Sequence, residues 1–249
     1  MNFLRSILFV ILLYGSMVLL GILWLPSLLL PRSVAMAGIR IWAHIARWGM
    51  KYICGADSEI RGLDRLPDGP VLLAPRHQST IDTLLPFLFL KDPCFVLKKE
   101  LLYYPIFGFY AIKTGMIAID RSGSTKALKD MTAKARAAAE QGRSLVIFPE
   151  GTRLPPGQHE ALKPGIALIY KDLNLPCVPV ALNTGYCWPA KGIARYPGHM
   201  VMELQPAIEP GLNRKAFMKT LEDRLESGMA LLLKEGERAQ GRAGDDKND

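Results

Sequence analysis

The chain has 249 residues, 49% of them hydrophobic, enough to bury the core of one catalytic-sized domain with an appendage. Its 31 Lys and Arg against 23 Asp and Glu leave a net charge of +8, a sign that suits an anionic membrane face, a phosphorylated substrate or a nucleic acid. The four cysteines, Cys54, Cys94, Cys177 and Cys187, show neither the short paired spacing of a zinc site nor a disulfide framework, so no metal is indicated and a reducing compartment is expected.

From Ser6 to Pro31, 26 positions carry no charge and are dominated by Leu, Ile, Val and Phe. A helix of that length crosses the roughly 30 Å hydrocarbon core of a bilayer. The run exceeds the ~7 to 15 apolar residues of a secretory signal core, and no clean small-x-small cleavage pattern follows, so it is kept in the mature protein. Pro26 and Pro31 are compatible with a full span and with a bend that lays the segment shallow. The next stretch sets Arg32, Arg40, Arg47 and Lys51 among Ile39, Ile41, Trp42, Ile45, Trp48 and Tyr52. Cations interleaved with indoles at helical spacing fit the membrane interface, although an amphipathic helix packed on a domain shows the same pattern. Positive charge concentrated after the apolar run puts the body of the protein on the cytoplasmic face, with a bacterial inner membrane as the expected setting. Residues 1–52 are thus expected as a membrane-anchoring helical region, 53–236 as the functional domain and 237–249 as a disordered tail.

Beyond residue 55, short apolar runs alternate with helical stretches. "VLLAP" from Val71 and "SLVIFPEGT" from Ser144 are brief, β-prone and end in turn residues, so they read as buried strands whose C-terminal ends carry polar loops. Ser124 to Gln141 has Leu128, Met131, Ala135 and Ala138 at helical spacing, Ser124 as a possible cap and Gly142 as the stop. "CVPVAL" and "HMVMEL" are further strand candidates, and Asn213 to Glu235 reads as a terminal helix with Phe217, Leu221, Leu225 and Leu232 on one side. Alternating strands and helices predict an α/β fold, a mostly parallel or mixed sheet flanked by helices, preceded by the N-terminal membrane-binding helices. In such sheets ligands gather where strands end.

The stretch "APRHQSTIDT", Ala74 to Thr83, sets polar and charged groups between two greasy runs. Buried polar groups cost roughly 1 to 3 kcal/mol each unless partnered, so the cluster needs a purpose. His77 and Asp82 meet if the chain turns between them; an aspartate on one imidazole nitrogen fixes the tautomer and leaves the other free to take a proton. A structural histidine held by a nearby acid fits the same spacing. "FPEGTR", Phe148 to Arg153, adds a Pro-terminated strand end, a glycine, a hydroxyl and an arginine fork suited to phosphate, or alternatively a plain turn with a solvated arginine. "GMIAIDR" ends a strand-like run in Asp120 and Arg121, and "LKKELL" offers Lys98 and Lys99, which a solvated face would also explain.

In this order, from Val71 to Leu182, the clusters resemble the glycerolipid acyltransferase family, especially the 1-acyl-sn-glycerol-3-phosphate acyltransferases. Its first motif, N-H-x-S-x-x-D, matches His77, Ser79 and Asp82, with Arg76 where asparagine is common. The second, G-x-x-F-I-x-R, matches Gly115, Ile119 and Arg121, with Ala118 in place of phenylalanine; the third is complete from Phe148 to Arg153; the fourth corresponds to Val178-Pro179-Val180. The resemblance implies acyl transfer from acyl-CoA or acyl carrier protein to the sn-2 hydroxyl of 1-acyl-sn-glycerol-3-phosphate (lysophosphatidic acid), giving phosphatidic acid. His77 would act as base and Asp82 would orient it. Arg153 and the backbone around Gly151 would hold the acceptor phosphate, with Thr152 and Glu150 in the same binding turn and Arg121 and Lys98 assisting. Other lysolipids, such as lyso-ornithine lipid, remain alternative acceptors, and a non-catalytic lipid-binding protein is the reading from another class. Apart from the acyl donor no cofactor is implied, and membrane lipids become the expected partners. No module or aromatic-basic platform supports nucleic-acid binding.

Overall fold

The computed structural model describes residues 2–120 and 125–245, with side-chain surroundings for 2–120 and 126–236. Seven strands form one sheet: β1 (Ala56–Arg61), β2 (Leu72–Pro75), β3 (Pro93–Lys98), β4 (Ile117–Ile119), β5 (Ser144–Val146), β6 (Cys177–Leu182) and β7 (Gly198–Leu204), in the order β1-β7-β6-β2-β5-β3-β4. Only the β6–β7 pairing is antiparallel, so the mixed, mostly parallel sheet expected from the sequence is present. The helices are α1 (Asn2–Leu23), α2 (Arg32–Tyr52), α3 (Pro86–Phe89), α4 (Phe107–Lys113), α5 (Thr125–Glu140), α6 (Gly165–Leu173) and α7 (Arg214–Asp245).

The central strands are apolar along their whole length because both faces are covered. Alternate residues serve opposite layers. Leu73, Val146 and Val178 point to the core under α1, α2 and α3, while their neighbours Leu72, Leu145 and Cys177 point to the core under α5, α6 and α7. Strands β1 and β3 were not anticipated. "ADSEIR" in β1 is polar because it forms a sheet edge, and Arg47 of α2 covers that edge by donating to the Ser58 hydroxyl and carbonyl.

One helix boundary differs from expectation. Helix α7 starts where predicted, with Asn213 Oδ1 accepting from Ala216 N at 3.0 Å, but continues past Glu235 to Asp245, into the segment expected to be a disordered tail. The segment "ERAQGRAGD" contains good helix formers and no proline, a composition compatible with a continuing helix. Helix α5 runs as predicted to within one residue at each end, and the Ser124 cap lies outside the described residues.

The N-terminal apolar run bends. Helix α1 stops at Leu23, a 3-10 turn containing Pro26 spans Leu25–Leu29, and Pro31 caps α2, which returns antiparallel. Over about 33 Å of length, α1 keeps touching the domain. At its start the Arg195 N–H donates to Ser6 Oγ at 2.8 Å and Phe9 meets Trp188 edge-on; in the middle the Leu13 side chain is buried in the core while its carbonyl accepts from Trp42 Nε1 of α2 at 3.0 Å; near its end Tyr110 Oη donates to Gly21 O at 2.8 Å. Its other side, Leu4, Leu8, Ile11, Val18 and Ile22, is exposed.

Candidate active site

Three neighbouring strands, β6, β2 and β5, end together and deliver three loops to one place. Arg76 and His77 follow β2, Phe148 to Arg153 follow β5, and Asn183 to Gly185 follow β6. The sheet continues briefly beyond the named strands, with Arg76 N donating to Val180 O at 3.0 Å and Ile147 N to Leu73 O at 3.0 Å. This fixes where the loops begin.

After His77 the chain turns tightly into the 3-10 turn Ile81–Thr83, which brings Asp82 back under the imidazole. Asp82 is fully buried, and its Oδ2 accepts from Gln78 N and Ser79 N, both at 2.7 Å, and lies 3.2 Å from His77 Nδ1. Oδ1 accepts from the Thr184 hydroxyl at 2.6 Å. Four donors on one carboxylate compensate its burial and leave it one geometry. The imidazole lies flat on Phe148, ring centroids 4.0 Å apart at 22°, with Nδ1 committed to Asp82 and no hydrogen-bond partner for Nε2 among the described residues. That disposition suits a proton acceptor.

Glu150 ties the two motifs together. Its Oε2 accepts from His77 N at 3.1 Å and its Oε1 pairs with Arg76 Nη1, both side chains almost fully buried. The sequence had left Glu150 without a role beyond the turn; the geometry makes it a clamp on the backbone of the histidine loop. A buried charge pair of this kind is tolerated only when hydrogen bonds complete it. The clamp is reinforced by Leu154 N donating to His77 O at 2.8 Å. Gly151, at φ +71°, makes the turn that a side-chain-bearing residue adopts only with strain, and it releases Thr152 and Arg153 to solvent. Arg153 Nη1 donates to Thr80 Oγ1 at 3.0 Å, so its guanidinium sits beside the histidine loop.

His77, Asp82, Glu150, Gly151, Thr152 and Arg153 are therefore one cluster. Lys98 lies at the same end of the sheet, at the close of β3 beyond β5, exposed and 3.7 Å from Glu100. Arg121 lies outside the described residues. Sequence reasoning missed Thr184 and Gln78, whose Oε1 accepts from Gly185 N at 3.0 Å, because they join loops 107 residues apart. It missed Phe148 as the imidazole's platform, although that residue opens the "FPEGTR" stretch. Among the described residues no group of three or more His, Cys, Asp or Glu is arranged to hold a metal ion.

Comparison with known proteins places this geometry. Residues 57–183 match the Acyltransferase family model, a stretch that runs from β1 to the end of β6 and contains the histidine loop and the Phe148–Arg153 turn. A 1-acyl-sn-glycerol-3-phosphate acyltransferase of Pseudomonas aeruginosa is 33% identical over 93% of this chain and 91% of its own, and one of Helicobacter pylori is 29% identical over 64% and 68%. The crystal structure of the 1-acyl-sn-glycerophosphate (LPA) acyltransferase of Thermotoga maritima superposes with a TM-score of 0.78 over 93% of this chain and 95% of its own, at 22% identity, a likeness of fold. The chain belongs to the acyltransferase family, in its group of 1-acyl-sn-glycerol-3-phosphate acyltransferases.

Proposed function

We propose that the cluster around His77 transfers a fatty acyl group from a thioester, acyl-CoA or acyl carrier protein, to the sn-2 hydroxyl of 1-acyl-sn-glycerol-3-phosphate. The observation that carries this reading is the disposition of one imidazole, its Nδ1 on a buried aspartate and its Nε2 uncommitted, beside an exposed arginine. His77 Nε2 takes the hydroxyl proton as the oxygen attacks the thioester carbonyl carbon. The new C–O bond makes a tetrahedral adduct, which collapses with loss of the C–S bond, and the imidazolium returns its proton to the departing thiolate. Ester and free thiol result, and no acyl-enzyme is required. Asp82 holds the ring and stabilises the imidazolium. Arg153 and the turn at Gly151 bind the acceptor phosphate, helped by Thr152, Lys98 and Arg121.

The α1–α2 hairpin works as a membrane anchor that lies on one leaflet with its exposed apolar side in lipid. Helix α1 meets the length requirement for a span, yet both of its ends pack on the same domain. The exposed Ile41, Trp48 and Tyr52 of α2 continue that apolar side, with Arg47 and Lys51 along its edge at headgroup level. The cations on this hairpin support a position of the domain on the cytoplasmic face of a bacterial inner membrane.

The test is acyl transfer from labelled acyl-CoA and from acyl carrier protein to a panel of lysolipids in one detergent. Product from lysophosphatidate and none from phosphate-free acceptors is expected. Product from a phosphate-free lysolipid alone would remove Arg153 as a phosphate ligand and leave the base chemistry in place.

A further inference from the structure

Between the end of β3 and the start of β4 the chain makes an excursion that the catalytic cluster does not use. From Leu101 to Ile112 it carries no charge, while Lys98 and Lys99 precede it, with Glu100, and Lys113 closes it. It folds as a 3-10 turn, Lys99–Tyr103, followed by α4. Tyr103, Tyr104, Phe109 and Ile112 are exposed by 59% to 75%, although the segment sits inside a well-packed domain. Contiguous exposure of large apolar side chains marks an interaction surface.

What covers it is indicated by where it is fastened. Tyr110 Oη donates to Gly21 O, and the Ile106 side chain presses on Gly21, where even a single added carbon would lie 2.2 Å from Ile106 Cγ2. Ile106 holds φ +66°, an unusual value for a β-branched residue, to make that contact and start α4. The patch therefore abuts the C-terminal end of α1 and the turn after it, where Ile22, Leu23, Leu25, Leu29 and Leu30 are also exposed. Two tyrosines, a phenylalanine and an isoleucine bordered by lysines have the composition of an interfacial lipid contact.

We infer that the segment from Lys99 to Lys113 is a second membrane-contact element, which inserts Phe109 and Ile112 among lipid chains beside α1 and sets Tyr103 and Tyr104 at the headgroup boundary. The inference rests on the reading of α1 as a lipid-lying helix. It gives the segment a part in the reaction: the end of β3, and Lys98 with it, is held at headgroup level, so a lysolipid reaches the cluster by lateral movement within the leaflet.

The four native cysteines are buried, and burial raises the thiol of Cys187 to about 12 and that of Cys177 higher still, so a thiol label goes to an introduced exposed cysteine. Full-length Phe109→Cys, Ile112→Cys, Ile11→Cys on α1 and Lys219→Cys on α7 are each labelled with an environment-sensitive fluorophore. They are then bound to phosphatidylcholine–phosphatidylglycerol vesicles containing doxyl-lipid quencher. Quenching and a blue shift are expected at 109, 112 and 11, and neither at 219. Quenching at 11 with 109 and 112 behaving like 219 overturns the inference alone; silence at 11 as well overturns both it and the anchor reading. A blue shift at 109 that grows with protein concentration without lipid, and is not quenched in vesicles, assigns the patch to a second copy of the chain and also overturns it. As a functional arm, Phe109→Asp/Ile112→Asp should lose about tenfold or more of its rate on vesicle-embedded acceptor and keep its rate on a short-chain, water-soluble one. Equal loss on the two acceptors counts against the lateral route.

Discussion

The histidine loop and the acceptor turn lie side by side yet are built in opposite ways. Around Asp82 each carboxylate oxygen has a protein donor and the group sees no solvent. Around Arg153 and Thr152 the side chains are exposed, and the arginine donates to the Thr80 hydroxyl. The imidazole proposed as the base is fixed in advance, whereas the groups proposed for a mobile, phosphate-bearing acceptor keep capacity for it. Preorganisation is worth most where charge develops during the reaction and least where a ligand supplies the missing partner.

The sharpest way to break this comparison is at its rigid side. His77→Ala should lower kcat by on the order of 10² to 10⁴, the scale of a positioned general base, with the thermal unfolding profile little changed; a folded variant of normal turnover would remove His77 from the chemistry. Next comes the clamp. Glu150→Ala leaves Arg76 buried without its partner and should cost about 3 to 5 kcal/mol of stability, read as a lowered midpoint in chemical denaturation, while a loss of kcat at unchanged stability would instead assign Glu150 to the reaction.

Thr184→Val keeps the shape and deletes the hydroxyl that donates to Asp82 Oδ1. Its kcat should drop about tenfold, as expected for a lost hydrogen bond to a charged group, with KM unchanged and Thr184→Ser restoring the rate. A serine variant as poor as the valine would show that the hydroxyl is not what matters. On the open side the effect should be smaller and of another kind. Arg153→Ala should raise KM for lysophosphatidate several-fold, on the order of one charge-assisted contact, and leave kcat nearly intact. An equal fall in kcat would mean that Arg153 is part of the preorganised set after all.

Much of the site was legible locally. His77 and Asp82 are separated by one turn of chain, so spacing and residue type sufficed to pair them, and "FPEGTR" carries its glycine, hydroxyl and arginine in one run. Strands β2 and β6 were visible because double burial makes a strand apolar throughout. Strand β1 was invisible for the converse reason: at a sheet edge its side chains meet water and another element's arginine. The terminal helix was placed correctly at its cap and underestimated at its far end, where composition outweighed helix propensity in the reading.

What the sequence determined by itself was the chemistry available: an imidazole, a carboxylate, a phosphate-compatible turn, an apolar N-terminus rich in flanking cations, and strands that alternate with helices. These depend on residue type and near spacing. Tertiary structure alone decided which groups hold them. Thr184 reaches Asp82 across 102 residues, Glu150 reaches the His77 backbone across 73, and α1 turns from a possible span into a helix lying on its domain through Ser6 and Gly21. Such contacts come from strand order in the sheet and from the bend between Leu23 and Arg32, and no local pattern of residues encodes a partner that distant in the chain.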